Sequence, residues 1–201
     1  MGAFIVLEGG DASGKSTQAQ LLVERLRGLG REVVETFEPG ATPAGATIRA
    51  LLLDGDGAID PTTEALLLAA DRAQEVADVI RPALARGADV VSDRYVPSSL
   101  AYQGVGRGLG VDEVDRINRW ATGGLDPDLV VVLDVDDEIA ESRRAAPGDR
   151  LERAGAEFHA AVRNAYRKLA GERGWVVLDG NADAGTVANQ VWDVVRERLG
   201  L

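Results

Sequence analysis

Ala3-Phe4-Ile5-Val6-Leu7-Glu8-Gly9-Gly10-Asp11-Ala12-Ser13-Gly14-Lys15-Ser16-Thr17 is the stretch that decides how this chain folds. Its first residues form a short apolar run with β-branched members, the pattern of a strand covered on both faces. Gly9 to Ser16 then satisfies G-x-x-x-x-G-K-[ST] at every fixed position, and an amphipathic segment, Ser16 to Leu29, follows up to Gly30. Strand, glycine-rich loop and helix in that order separate a phosphate-binding loop from a bare glycine-rich turn. Glycines let the backbone N–H groups wrap phosphates, and the helix N-terminus adds the positive end of its dipole. Lys15 is expected at the terminal phosphates and the Ser16 hydroxyl at Mg²⁺. Gly9, Gly10, Asp11, Ala12, Ser13, Gly14, Lys15, Ser16 and Thr17 are therefore the expected binding segment for a nucleoside triphosphate.

Working outward, the same alternation repeats. Val33-Val34, Asp89 to Ser92, Leu129 to Leu133 and Trp175 to Leu178 read as further buried strands. Helical periodicity marks Thr62 to Ala85, Asp112 to Ala121, Asp137 to Arg144, Ala154 to Glu172 and Thr186 to Leu199. Such alternation specifies an α/β fold with a mostly parallel sheet and right-handed crossovers. With no repeat and no linker in sight, residues 1–201 are expected to form one domain. Gly104 to Gly110 and Arg143 to Arg153 read as mobile surface loops.

Composition narrows the function. The chain has 201 residues, 33 Asp+Glu against 22 Lys+Arg, one histidine and no cysteine. A net charge of −11 argues against a general nucleic-acid binder, which needs a basic face. Without cysteine there is neither a disulfide framework nor a thiolate metal site, which fits a cytoplasmic location. No run reaches the roughly 20 apolar residues of a membrane helix, and the N-terminus lacks a signal peptide's basic start. Lysine occurs only at 15 and 168, after Gly14 and Arg167, so the Asn-Lys-x-Asp guanine reader of Ras-type GTPases is absent. A small phosphotransferase remains.

Three arginines on separate segments, Arg49, Arg72 and Arg94, could converge on the phosphate of a second substrate, since guanidinium suits bidentate phosphate contacts. Leu68 and Arg72, four residues apart, share a helix face. Arg94 follows a strand-end acid, Asp93, at the kind of position where open α/β sheets bind ligands. Asp93 and Asp134 both end apolar strands, and either could serve the Mg²⁺ site; for Asp134 a helix cap is the alternative. Arg143, Arg144, Arg150 and Arg153 crowd one loop between two helices, as a lid over phosphates would need. His159 reads as a structural or surface residue. An acceptor that is itself a phosphate is already a nucleophilic anion, so no general base is required.

Taken together, the motifs resemble thymidylate kinases. Glu8-Gly9 with the loop, Glu38-Pro39-Gly40, Ala70-Asp71-Arg72-Ala73, Asp93 to Gly104, Gly106 to Leu109 and Asp149-Arg150-Leu151-Glu152 carry the resemblance. It implies a P-loop kinase fold with a five-stranded parallel sheet, ATP and Mg²⁺ as cofactors, dTMP as acceptor and a homodimer. It also implies that Arg49 and Arg94 hold the dTMP phosphate, with Arg72 beside the base. Asp11 would take the sugar 3′-hydroxyl. Ser99 and Gln103 would meet the base edge, Tyr102 the sugar, and Pro39 would place its loop against the acceptor. Leu68 stands where the family commonly has a stacking phenylalanine. Arg143, Arg144, Arg150 and Arg153 would form a lid at about 143–153, and with no arginine in the loop itself the catalytic arginine would come from there, from Arg143 or Arg150, alongside Lys15 and Arg94. Ser16 and Asp93 would serve the metal. A kinase for dUMP or UMP, and a regulatory ATPase without kinase turnover, are the competing expectations.

Overall fold

The computed structural model describes residues 2–54, 57–143, 150 and 153–201. Strands β1 (Phe4–Gly9), β2 (Val33–Phe37), β3 (Asp89–Asp93), β4 (Leu129–Asp134) and β5 (Val176–Asp179) form one sheet in the order β2-β3-β1-β4-β5. Every pairing is parallel. The central strand β1 is buried at all six positions, whereas the edge strands β2 and β5 are partly exposed. That is why the middle strands read as unbroken apolar runs.

Side chains alternate across the sheet and build two cores. Ile5 and Leu7 of β1 face α1 (Lys15–Gly28) and α9 (Ala184–Leu199), meeting Leu22, Leu26, Val187 and Val191. Phe4 and Val6 face the other layer, where Ile80, Tyr95, Leu100, Val162 and Tyr166 pack. A small satellite of Leu52, Leu53 and Leu68 joins α2 (Pro43–Leu53) to α3 (Pro61–Glu75). Gly45 permits this approach: a Cβ there would lie 2.2 Å from Asp71 Oδ1.

The helix expected from Thr62 to Ala85 is present but carries a π turn at Val76–Ile80 between α3 and α4 (Arg81–Ala85). Pro82 has no N–H to donate within the α-helical ladder, and the Arg81 N–H reaches back five residues to Val76 O.

One expectation holds only in part: Gly104 to Gly110 is an exposed loop only in its second half, where Gly108 and Gly110 face outward. It begins inside a second π turn, Leu100–Gly106, which continues α5 (Val96–Ser99). Gly104 is buried close against Val111, and Arg107 pairs with Glu64 at 3.2 Å while lying over the Phe158 ring. Helices α6 (Val111–Thr122), α7 (Asp137–Arg143) and α8 (Ala156–Arg173) complete the described set.

Candidate active site

The loop between β1 and α1 is built as its glycines require. Gly9 has φ +140°, and a Cβ there would come within 2.5 Å of Leu133 O; Gly14, at φ 91°, caps α1 without any side-chain cap. The first N–H groups of α1 are thus left for a ligand. Lys15 folds back over the loop, donating from Nζ to Gly10 O at 2.6 Å and to Ser13 Oγ at 3.3 Å. Burial, helped by the Arg94 charge, lowers its pKa to about 8. The Ser16 hydroxyl donates to Asp93 Oδ2. Asp134 instead accepts from Arg163 at 3.0 Å and Arg167 at 2.8 Å of α8. Of the two strand-end acids, Asp93 is the one bonded to Ser16; Asp134 lines a hollow beside Gly9, Gly10, Asp11 and Ser13 but is held by the two arginines of α8.

A hollow of about 620 Å³ opens beside this loop. Asp11, Lys15, Ser16, Pro39, Arg49, Leu68, Arg72, Asp93, Arg94, Ser99, Tyr102 and Gln103 all line it, so the expected donor and acceptor residues meet in one cleft. Arg94 sits at its centre with φ 78°, a left-handed conformation unusual for a bulky residue. Its N–H bonds Leu7 O at 3.0 Å, and its C=O accepts from Ser92 Oγ at 2.7 Å. Its guanidinium donates to Asp11 Oδ1 at 2.6 Å, Ser98 Oγ at 3.0 Å and Gly9 O at 3.2 Å, and lies over the Tyr102 ring. Burial opposes ionisation of Asp11, but Arg94 and Lys15 bring its pKa below the usual carboxylate value.

Behind Arg94 stands Glu8, wholly buried, whose carboxyl accepts from Tyr95 N (2.9 Å), Ser98 N (3.1 Å), Ser98 Oγ (2.7 Å) and Tyr166 Oη (2.8 Å). Burial pushes its pKa up. This carboxyl fixes the turn that follows β3 and hence the aim of Arg94.

The convergence of three arginines on one phosphate is not what the fold builds. Arg72 is 1% exposed. Its Nε and Nη2 grip the Glu38 carboxylate, Nη1 bonds Ser99 Oγ at 3.0 Å and Asn118 Oδ1, and Nη2 also bonds Tyr95 O at 3.0 Å. All five guanidinium N–H groups are thereby engaged by protein. Arg49 remains at the rim, donating from Nη1 to Pro39 O at 2.8 Å, with Phe37 under its guanidinium. Gln103 donates to the buried Glu64 at 2.9 Å.

The lid arginines part company. Arg143 donates to the carbonyls of Gly180 (2.9 Å), Asn181 (3.2 Å) and Ala182 (3.1 Å). With Gly180 and Asp183 it lines a hollow along the outer side of Ala12 to Gln18. Arg150 docks on Glu64 at 2.9 Å and Leu52 O at 2.7 Å, away from the phosphate loop. Arg153 lines a third hollow, about 290 Å³, with Gly9, Gly10, Asp11 and Ser13. Arg144, and Asp149, Leu151 and Glu152 of the lid motif, lie outside the described residues.

His159 lies deeper than a surface residue: it lines that third hollow, with Nδ1 3.8 Å from Asp11 Oδ2. Glu8, Glu64, Asn118 and Tyr166 are the side chains that sequence reasoning passed over. Each acts through partners far away in the chain; Glu8 stands in a quoted motif, but its neighbours in sequence do not reveal what it holds.

The comparisons with known proteins agree with this geometry. A family model described as thymidylate kinase matches residues 7–191. A thymidylate kinase of Leifsonia xyli subsp. xyli is 51% identical over 194 residues, covering 94% of this chain and 92% of that protein. One from Halothermothrix orenii is 46% identical over 200 residues, covering 97% of each. One from Deinococcus radiodurans is 45% identical over 201 residues, covering 98% of each. The chain belongs to the thymidylate kinase family.

Proposed function

We propose that this protein transfers the γ-phosphoryl group of ATP to dTMP, giving dTDP for dTTP synthesis. The observation that carries the reading is the cleft in which the Lys15 loop and the Arg94 cluster face each other. In this reading Gly9 to Thr17 hold the triphosphate, with Lys15 at the transferred group. Arg49 and Arg94 hold the acceptor phosphate, Asp11 the 3′-hydroxyl and Tyr102 the sugar. Leu68 covers a face of the base, while Ser99 and Gln103 meet its edge. Pro39 shapes the loop beneath Arg49. Arg72 supports Ser99 and touches the base side of the cleft without reaching the phosphate. Of the arginines at about 143–153, Arg143 and Arg153 lie beside the phosphate loop and Arg150 beside Glu64; a lid arginine would neutralise charge as the phosphoryl group moves.

Residues for Mg²⁺ fit as well. Asp93 Oδ1 is buried without a hydrogen-bond partner, and Oδ2 already holds Ser16. Among the described residues no group of three acidic, histidine or cysteine side chains could enclose a metal, which suits an ion bound by one or two side chains plus phosphate oxygens. When bound, Mg²⁺ would offset phosphate charge; Ser16 and Asp93 would hold it. The protein's own task is to position two anions in line and to screen their repulsion, and the acceptor needs no base.

No helix among the described residues is long and apolar enough to cross a membrane; the net charge of −11 supports an enzyme acting on small molecules and not on nucleic acid, and the lack of cysteine fits a cytoplasmic location. Exposed Leu66 on α3 and Trp120 on the neighbouring α6 support a homodimer.

ADP release in the presence of ATP, Mg²⁺ and a panel of nucleoside monophosphates tests the assignment. Strong stimulation by dTMP is expected. Stimulation by UMP or dUMP but not dTMP would move the acceptor, and slow hydrolysis indifferent to every monophosphate would make the protein a regulatory ATPase.

A further inference from the structure

Behind Gln103, one of the side chains placed at the base edge, lies an acid that no binding step uses. Glu64, in the first turn of α3, is wholly buried. Its Oε1 accepts from Gln103 Nε2 at 2.9 Å and from Arg107 Nε at 3.2 Å. Its Oε2 accepts from Arg107 Nη2 at 3.2 Å and from Arg150 Nη2 at 2.9 Å. Gln103 and Ser99 line the cleft, while Glu64 does not.

Guanidinium groups donate and never accept, so both Glu64 oxygens act as acceptors. The end of the Gln103 amide that faces them must then be its NH2. That turns the other end, Oε1, away from Glu64, and among the described residues no donor reaches it. Ser99 Oγ accepts from Arg72 Nη1 at 3.0 Å, which leaves its own proton to be donated elsewhere. The wall thus offers one acceptor and one donor. A thymine ring in a nucleotide has a single N–H, at N3, next to the carbonyl O4. Cytosine has a bare acceptor nitrogen at N3 and an amino group at position 4, so it opposes this wall at both places.

We propose that Glu64 is a positioning residue that sets base choice: by holding the Gln103 amide it keeps a carbonyl, and not an NH2, turned toward N3 of the acceptor base. This deepens the acceptor placement proposed above and rests on it. A neutral amide at position 64 should reverse the setting. Its NH2 must replace one of the two oxygens, and each of them faces an arginine. In place of Oε2 it would oppose two guanidinium donors, those of Arg107 and Arg150. In place of Oε1 it opposes only Arg107 Nε, because the Gln103 amide can turn over and accept from it. The second arrangement leaves fewer buried donors unpaired. Gln103 then shows its NH2 to the base, which suits cytosine.

The test measures kcat and KM for dTMP and dCMP in wild type, Glu64→Gln and the exchanged pair Glu64→Gln/Gln103→Glu. In Glu64→Gln the kcat/KM ratio of dTMP to dCMP should fall by about tenfold or more, with the ATP KM kept. In the exchanged pair the carboxylate at position 103 accepts from the amide at position 64 with one oxygen and offers the other to N3–H. The ratio should then return toward that of wild type. A merely structural role would lower kcat/KM for both acceptors in proportion. An unchanged ratio in Glu64→Gln, or an exchanged pair no more selective than Glu64→Gln, would overturn the role of Glu64. Should Glu64→Gln not fold, the exchanged pair is compared with wild type: a kept preference for dTMP supports the role and a lost one overturns it. Gln103→Ala tests the underlying placement. If its ratio equalled that of wild type, Gln103 would not read the base and the placement itself would fall. If its ratio dropped while that of Glu64→Gln did not, only the Glu64 role would fall.

Discussion

At the scale of single residues the site is a set of charges held in tension by burial. Lys15 is the clearest case, with a pKa lowered to about 8 before any phosphate arrives. A bound triphosphate favours the ammonium form, so the folded loop should draw a proton from solvent as it binds ATP. Above pH 8 the free enzyme has largely lost that proton, and below pH 7 it retains it in both states. Calorimetry at pH 8.5 in buffers of different ionisation enthalpy should record uptake of about 0.7 proton per ATP. Lys15→Arg, which cannot titrate in this range, should abolish it; uptake unchanged by that substitution would remove Lys15 as the source. The residues legible in the sequence were those in consecutive motifs: Gly9 to Thr17, and Asp93 to Gln103. Glu8 and Tyr166 were not, because their bond spans 158 positions, and Arg72 was misread because its partners Glu38 and Asn118 lie 34 and 46 positions away. An arginine advertises charge in a sequence but not whether that charge is already spent inside the fold.

At the scale of elements, helices start in two ways: α2, α3 and α9 carry side-chain caps, whereas α1, α6 and α8 follow a positive-φ glycine. Asp60 caps α3 by accepting from Thr62 N (2.8 Å) and Thr63 N (3.3 Å), Asp183 caps α9, and Thr42 caps α2. Only a left-handed glycine stands before α1, where a side-chain cap would occupy the phosphate's place. Asp60→Ala should therefore cost stability without touching the reaction, about 1 kcal/mol in urea unfolding, with kcat unchanged. A loss far below that would show the α3 start to be held by Pro61 and packing alone. The strands and most helices were legible because apolar period and cap residues are local signals. The π turns were not: Pro82 reads as a helix end or a kink, and what it does depends on the tertiary packing that keeps the helix going past it. Glycines at 104 and 106 read as loop, yet their lack of a side chain is what lets Val111 and Phe158 close in.

At the scale of the whole molecule, the net charge of −11 is unevenly placed. Lys15, Arg49, Arg72 and Arg94 line one cleft together with Asp11, Glu35, Glu38 and Asp93, so charge there is balanced while the chain as a whole is acidic. The outer surface is broken by Trp120, 88% exposed on α6. If the proposed homodimer forms, an indole so exposed on a helix packed against α3 should lie in its contact. Trp120→Glu should halve the molar mass measured by light scattering at micromolar concentration, and a wild-type protein that is already monomeric would refute the assembly.

β1 and β3 are adjacent, with Leu7 paired to Asp93. In the proposed reading the donor loop leaves the first of these strands and Arg94 follows the second, so the two subsites start from backbones spaced about 4.8 Å apart. The sheet is in this sense a ruler. Side chains select which molecules enter, while the parallel pairing of β1 with β3 sets how far apart the two loops begin.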